Sequence, residues 1–378
     1  MDDFEEKMPI VIDNGSGFIK SGFGGEEEPK SKFTTIIGKP KHLEMIKKIN
    51  TKKYYIGNEA ENQRGILELE YPMERGIVRN WDNMEKIWDY IFFNELKVEP
   101  EDQPLLLSEV PMNPKSNREK ITEIMFEVFH VPSFYISLPG ILALYSSGRT
   151  TGIVIDIGDG VTYTLPAYEG FILRNHISRA NFGGTDLTDY LINILNEKDL
   201  FFTTSAERET AKDIKEKLGY STFDFNQEMI LSNSKNHSID KNYELPDGQV
   251  ITIGNERFRC AEVLFNPSLM GIEQPGIHQI VSNSIQKCDI DIQRDLLANI
   301  IFSGGSTLFP GISDRFVKEL VPLFSPVMRI MPVCPPERQF SVWIGGSILT
   351  TLSSSQSMWI PKSEFEEVGN QIIHQKCF

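Results

Sequence analysis

Val11-Ile12-Asp13-Asn14-Gly15-Ser16-Gly17 near the start of the chain is echoed in its middle by Val154-Ile155-Asp156-Ile157-Gly158-Asp159-Gly160. Both read apolar, apolar, Asp, any, Gly, any, Gly. In each copy a run with strand character meets a glycine-containing turn, and a second extended stretch follows: Phe18 to Phe23 in the first, Val161 to Leu165 in the second. That order is the pattern of a β-hairpin. The repeat predicts two related lobes, each opening with an Asp-Gly hairpin, facing each other across a cleft.

Between the copies the period changes. Ile121, Ile124, Met125, Val128 and Phe129 recur at the spacing of a helix with one buried stripe, and Asn113-Pro114 upstream reads as its cap with proline in the first turn. A second helix is expected from Asn83 to Leu96, with Ile87, Ile91 and Phe92 inward. Strands alternating with such helices indicate α/β units. Leu245-Pro246-Asp247-Gly248 reads as a turn leading into a strand through Val250 and Thr252. Ser232 to Asn242 reads as a surface loop, and Lys41 to Lys53 as an exposed basic segment around Met45, Ile46 and Ile49.

With 378 residues, 40% hydrophobic and 24% charged, the chain has the composition of a globular protein of two or three domains. Its formal net charge of −15 disfavours nucleic acid and anionic membrane surfaces as partners. The N-terminal stretch lacks the basic and apolar regions of a signal peptide, and no apolar run reaches the roughly 18 residues that a membrane helix requires. The expected location is the cytosol or nucleus. Cys260, Cys288, Cys334 and Cys377 form no CxxC pair, so a reduced, metal-free set is expected. Cys377 is next to last, not fourth from the end as in a prenylation box.

Glycine turns let backbone N–H groups approach an anion closely, because no Cβ intervenes. Two facing hairpins would clamp a polyphosphate. Asp13 and Asp156 at the strand ends would converge on Mg²⁺, which prefers oxygen ligands and keeps most of its waters. Ser16 is placed to donate to a terminal phosphate and Lys20 to neutralise it. A third turn, Ser303-Gly304-Gly305-Ser306, ends another apolar run and would let a flat ligand approach the backbone. The chain has no GxxxxGK[ST] and no GxGxxG in a strand-to-helix turn, which excludes a P-loop and argues against a dinucleotide fold.

Longer runs point to a family. Ile12-Asp13-Asn14-Gly15-Ser16-Gly17, Asn80-Trp81-Asp82-Asn83-Met84-Glu85-Lys86-Ile87-Trp88, Ser147-Gly148-Arg149-Thr150-Thr151-Gly152-Ile153-Val154, Glu244-Leu245-Pro246-Asp247-Gly248-Gln249-Val250 and Val342-Trp343-Ile344-Gly345-Gly346-Ser347 resemble actin closely, essentially end to end. The resemblance implies the duplicated α/β actin-like ATPase fold, the type shared with Hsp70 and sugar kinases. It has two lobes and four subdomains around a nucleotide cleft. The implied subdomains are 1–36, 72–146 and 341–378; 37–71; 147–182 and 273–340; and 183–272. It also implies ATP or ADP with Mg²⁺ or Ca²⁺, assembly into filaments with itself or conventional actin, and a location in cytoplasm and cytoskeleton, with the nucleus as an alternative.

Carried over by position, the resemblance puts Asp13 and Asp156 around the cation through water. Ser16, Gly17, Phe18 and Lys20 form one phosphate turn, and Gly158, Asp159 and Gly160 the other. Gly184, Lys215, Glu216, Gly304, Gly305, Ser306, Leu308 and Phe309 surround the nucleoside. Without the family, Lys215 and Glu216 read as a solvated helix pair. Lys41 to Lys53 maps to the loop that reaches the next subunit. Tyr145, Phe171, Leu349 and Leu352 map to the groove that receives it, a groove also used by actin-binding proteins. Asn266 to Gly276 maps to the stretch facing the opposite strand.

The sequence also departs from the family. Pro139 stands where a glutamine orients the attacking water, and Tyr163 where a histidine lies nearby. No catalytic residue is therefore assigned, and the expected ATPase is slow or absent. Pro139 fits the first turn of a helix capped by Ser137. Ile157 replaces a serine, Arg75 an often-methylated histidine, Gln339 a lysine over adenine and Lys212 an arginine. Phe4 and Lys7 break the acidic start on which myosin-type partners rely. The rival expectation is a non-polymerising subunit or filament-end cap of a larger complex, with structural nucleotide only.

Overall fold

The computed structural model describes residues 8–41, 52–232 and 239–377. Two compact units emerge, Met1–Thr150 with Pro335–Phe378, and Thr151–Cys334.

The first unit is built on a six-stranded sheet in the order Ile360–Pro361, Ser133–Ser137, Leu105–Ser108, Ile10–Asn14, Phe18–Phe23, Ser31–Thr34. Ile10–Asn14 and Phe18–Phe23 form the expected antiparallel hairpin, with Asp13 opposite Lys20. On its other side Ile10–Asn14 runs parallel to Leu105–Ser108. Both parallel strands are buried along their whole length, which is why they read as unbroken apolar runs. Helices Pro139–Ser146 and Ser341–Thr351 pack closely because of Gly345, where a Cβ would meet the Leu142 carbonyl at 1.8 Å. A satellite core of Ile36, Tyr55, Ala60 and Leu67 lies with a three-stranded sheet of Tyr55–Ile56, Ile37–Pro40 and Leu67–Glu70.

The second unit repeats this arrangement. Gly152–Ile157 and Thr162–Tyr168 form an antiparallel hairpin with Asp156 opposite Tyr163, and Gly152–Ile157 runs parallel to Ile300–Ser303. Pro332–Val333 extends one edge; Phe171–Ile172 and Ser178–Ala180 pair with Thr162–Tyr168. A large core that includes Ile155, Phe182, Leu191, Ile280 and Phe302 supports the sheet.

Several local expectations are corrected. The helix Lys115–Glu123 continues as a π-turn, Ile124–Val128. Its i→i+5 bonding absorbs one extra residue and slips the phase of the stripe, so Val128 is 48% exposed while Phe129 stays inside. The N-cap position falls on Pro114, without a side-chain cap, instead of Asn113. The Asn83 to Leu96 segment likewise splits into α-helix Trp81–Tyr90 and π-helix Ile91–Leu96, with Ile87, Ile91 and Phe92 buried. Pro139 does occupy the first helical turn, but Leu138 is the cap residue because Ser137 belongs to the preceding strand. Lys241–Glu244 is a strand paired with Val250–Ile253, so the end of the Ser232 to Asn242 loop is sheet; residues 233–238 lie outside the described residues. Residues 42–51, including Met45, Ile46 and Ile49, and residues 1–7 lie outside them too.

Candidate functional site

At the first hairpin, Asp13 is almost fully buried and bonded through both carboxylate oxygens. Its Oδ1 accepts from Ser108 Oγ at 2.7 Å, and its Oδ2 pairs with Lys20 Nζ at 2.8 Å. Ser108 Oγ also accepts the Asn14 N–H at 3.0 Å, so one hydroxyl ties the end of Ile10–Asn14 to its parallel neighbour. The turn is held from behind: Thr35 donates through Oγ1 to the Gly15 carbonyl at 2.7 Å and through its N–H to the Gly17 carbonyl at 3.1 Å. A Cβ at Gly15 would lie 2.5 Å from the Phe18 carbonyl, so the tight turn requires glycine. Ser16 Oγ accepts from the Gly76 N–H at 2.8 Å, which leaves its proton to donate elsewhere. Asn14 Oδ1 is a buried acceptor with no partner among the described residues. Arg75, at the departure from the family's histidine, shares with Gly76 a left-handed two-residue turn between Met73–Glu74 and Ile77–Val78.

At the second hairpin, Asp156 Oδ2 accepts from Ser303 Oγ at 2.7 Å, and the two residues are in register on parallel strands. The buried carboxylate thus has the same kind of partner, in the same position, as Asp13. Its turn is welded to a helix start: the Gly184 N–H donates to the Gly158 carbonyl at 3.0 Å, and the Thr185 N–H to the Asp159 carbonyl at 2.8 Å. Thr185 Oγ1 also donates to Asp159 Oδ2 at 2.8 Å. The third glycine turn joins this group. Ser306 Oγ donates to the Gly158 carbonyl at 3.0 Å. Gly304 has φ 93°, and a Cβ there would sit 2.4 Å from the Ile157 carbonyl, so both its conformation and the approach demand glycine.

The structure therefore brings together Gly158, Asp159, Gly184, Gly304 and Ser306, with Gly305 exposed and Gly160 buried beside them. Lys215 and Glu216 separate. Glu216 is exposed, whereas Lys215 is buried and donates to the Gly184 carbonyl at 2.7 Å and Thr188 Oγ1 at 2.9 Å. It is thus no solvated residue. Burial pushes its ammonium pKa down, against the opposing charge of Asp159. Leu308 is exposed, but Phe309 belongs to the core, its ring lying where a Cβ at Gly219 would meet it at 2.5 Å. Of the residues that the resemblance maps to a groove, Tyr145 is half-buried, Leu349 buried, and Leu352 and Phe171 exposed.

Ser108 and Lys32 carry no signal in the sequence. Lys32 Nζ donates to Gln339 Oε1 at 3.1 Å and lies 4.7 Å from the Phe18 ring centroid and 5.5 Å from that of Phe340. A cation thus stands beside the position where the family's lysine is missing. Its partner is distant in sequence, and only the fold brings them together.

Among the described residues no group of three or more His, Cys, Asp and Glu side chains could hold a metal ion. Asp13 and Asp156 each already accept a hydrogen bond, and a carboxylate held in this way is better suited to a cation that keeps its own waters than to one stripped into a protein cage. Ser16's donor and the unpaired Asn14 oxygen are polar groups of the kind that a solvated phosphate–cation group satisfies. No helix of the described residues is long and apolar enough to cross a membrane. The family model for actin matches residues 4–378. The chain belongs to the actin family.

Proposed function

We propose that this actin-family protein binds ATP or ADP with Mg²⁺ or Ca²⁺. Asp13 and Asp156 hold the cation through water; Ser16, Gly17, Phe18 and Lys20, and Gly158, Asp159 and Gly160, take the phosphates. Gly184, Lys215, Glu216, Gly304, Gly305, Ser306, Leu308 and Phe309 bound the nucleoside. The repeated Asp–Ser pair carries this reading. A buried carboxylate is costly, and an apolar strand end would pack at lower cost, so retaining the same anion twice indicates a ligand-facing role. Ser16 contributes a proton donor, Lys20 positive charge, and Lys215 fixes the Gly184 carbonyl, with Lys32 adding charge near Gln339. When bound, the cation screens phosphate charge. Hydrolysis is slow, because Pro139 offers no side-chain donor or acceptor and a phenol such as that of Tyr163 is a poorer proton acceptor than the imidazole it replaces. The test is nucleotide content after purification in Mg²⁺: bound adenine nucleotide released by chelator supports the reading, and nucleotide-free protein that takes none up contradicts it.

We further propose that the chain forms or joins cytoskeletal filaments, with itself or conventional actin, and that the two units divide into the four subdomains given above. Family membership supports the first, and the separate satellite core of Ile36, Tyr55, Ala60 and Leu67 supports a distinct 37–71 subdomain. Sedimentation with Mg-ATP, alone and with conventional actin, decides the assembly reading. Protein that stays in the supernatant in both is a non-polymerising subunit.

A further inference from the structure

We infer that the surface between the two π-turns of the first unit is a docking site for a basic polypeptide segment of a partner protein, one carrying a bulky apolar side chain among lysines or arginines. This is independent of nucleotide binding. The α-helices Trp81–Tyr90 and Lys115–Glu123 each end in a π-turn, Ile91–Leu96 and Ile124–Val128. The two turns are joined beneath by Phe92 and Phe129, whose ring centroids are 5.0 Å apart. Above this contact lies a cavity of about 430 Å³. Its walls include Tyr54, Phe93 and Val128, respectively 36%, 43% and 48% exposed. π-Turns are rare and concentrate at functional sites. Here the phase slip brings out Val128, which the regular period would bury, beside the exposed Phe93. Clustered exposed apolar side chains in a concavity mark an interaction surface.

Charge selects the occupant. Glu85, Asp89, Glu99 and Glu101 line the same cavity, and among the described residues none of them forms an ion pair. The basic side chains that line it are Lys86, whose Nζ lies 5.6 Å from the Tyr54 ring centroid, and His130, whose Nδ1 is 3.2 Å from the Phe126 carbonyl oxygen. Unpaired carboxylates around an apolar floor repel lipid headgroups and nucleic acid. They complement lysines flanking an apolar anchor, which supplies the buried contact while the charges steer the encounter.

The test uses a fluorescein-labelled synthetic peptide of lysines around a central Phe-Leu pair, followed by anisotropy with the full-length protein. Saturable binding that weakens with salt is expected. Phe93→Ser with Val128→Ser, and separately Asp89→Asn with Glu99→Gln and Glu101→Gln, should each weaken it about tenfold, with unchanged circular dichroism and melting. Glu26→Gln with Glu27→Gln and Glu28→Gln removes the same charge from exposed positions elsewhere and should leave affinity within about twofold. The proposal is overturned if that control weakens binding as much as the cavity variants. It is equally overturned if a peptide with glycines in place of Phe-Leu binds as well, since attraction to the net charge of −15 would then account for everything.

Discussion

Lys20 and Tyr163 occupy the same place in two copies of one hairpin: Lys20 lies directly across from Asp13, and Tyr163 directly across from Asp156. The first copy answers its buried carboxylate with an ammonium at 2.8 Å, the second with a phenol-bearing residue that is itself buried. The duplicated frame therefore places different chemistry across from its two aspartates. On the second hairpin the Asp156 carboxylate accepts from the Ser303 hydroxyl of the parallel strand.

That shared serine predicts equivalent losses. Ser108→Ala and Ser303→Ala each remove one donor from a buried carboxylate and should each cost about 1–3 kcal/mol. The two serines belong to separate units, so the losses should add in the double variant. Urea denaturation measures this; a negligible loss for either serine would show that the carboxylate is satisfied without it.

Hydrolysis should be slow and repairable. Pro139→Gln with Tyr163→His should raise phosphate release by about 10-fold or more under assembling conditions, since positioning of the attacking water dominates phosphoryl transfer. An unmodified chain that already releases phosphate at a conventional actin's rate would remove the basis for this assignment.

Lys32 should contribute modestly to nucleotide affinity. A cation near aromatic faces is worth about 1 kcal/mol where it is exposed, so Lys32→Met should weaken fluorescent-ATP binding several-fold, and Gln339→Lys in that background should recover part of it. No change in Lys32→Met would reduce the lysine to a surface contact.

Thiol chemistry should report burial. Burial pushes Cys260 and Cys377 up to about 12 and Cys288 to about 11, so these should resist maleimide at pH 8 in the folded protein, whereas half-buried Cys334 should react first. The folded values lie above the unfolded value near 9.0, so the unfolded chain loses its protons first. The stability these groups contribute is then present below pH 9 and declines above it. Fast labelling of all four thiols without denaturant would contradict the packing of these cores.

The two hairpins were legible because glycine punctuation and the Asp position are local signals. The π-turns were not, since a search at the helical period assumes unbroken i→i+4 bonding, and Val128 was placed on the wrong face for that reason. Ser108 could not be singled out, because its meaning lies in a parallel strand that the sequence does not pair. Lys215 looked solvated on a charged helix; burial against Gly184 and Thr188 is a tertiary fact. Leu138 takes the cap position from Ser137 because the strand runs one residue further than the turn pattern suggests.

The most direct test of the nucleotide reading is calorimetric titration of ATP into the nucleotide-depleted protein and its Asp156→Ala variant, each with Mg²⁺ and with chelator. Tight, Mg²⁺-dependent binding in the unmodified protein, weakened about 100-fold or more in the variant with its melting temperature retained, is the predicted result. Equal affinity in the two proteins, or binding indifferent to Mg²⁺, would contradict it.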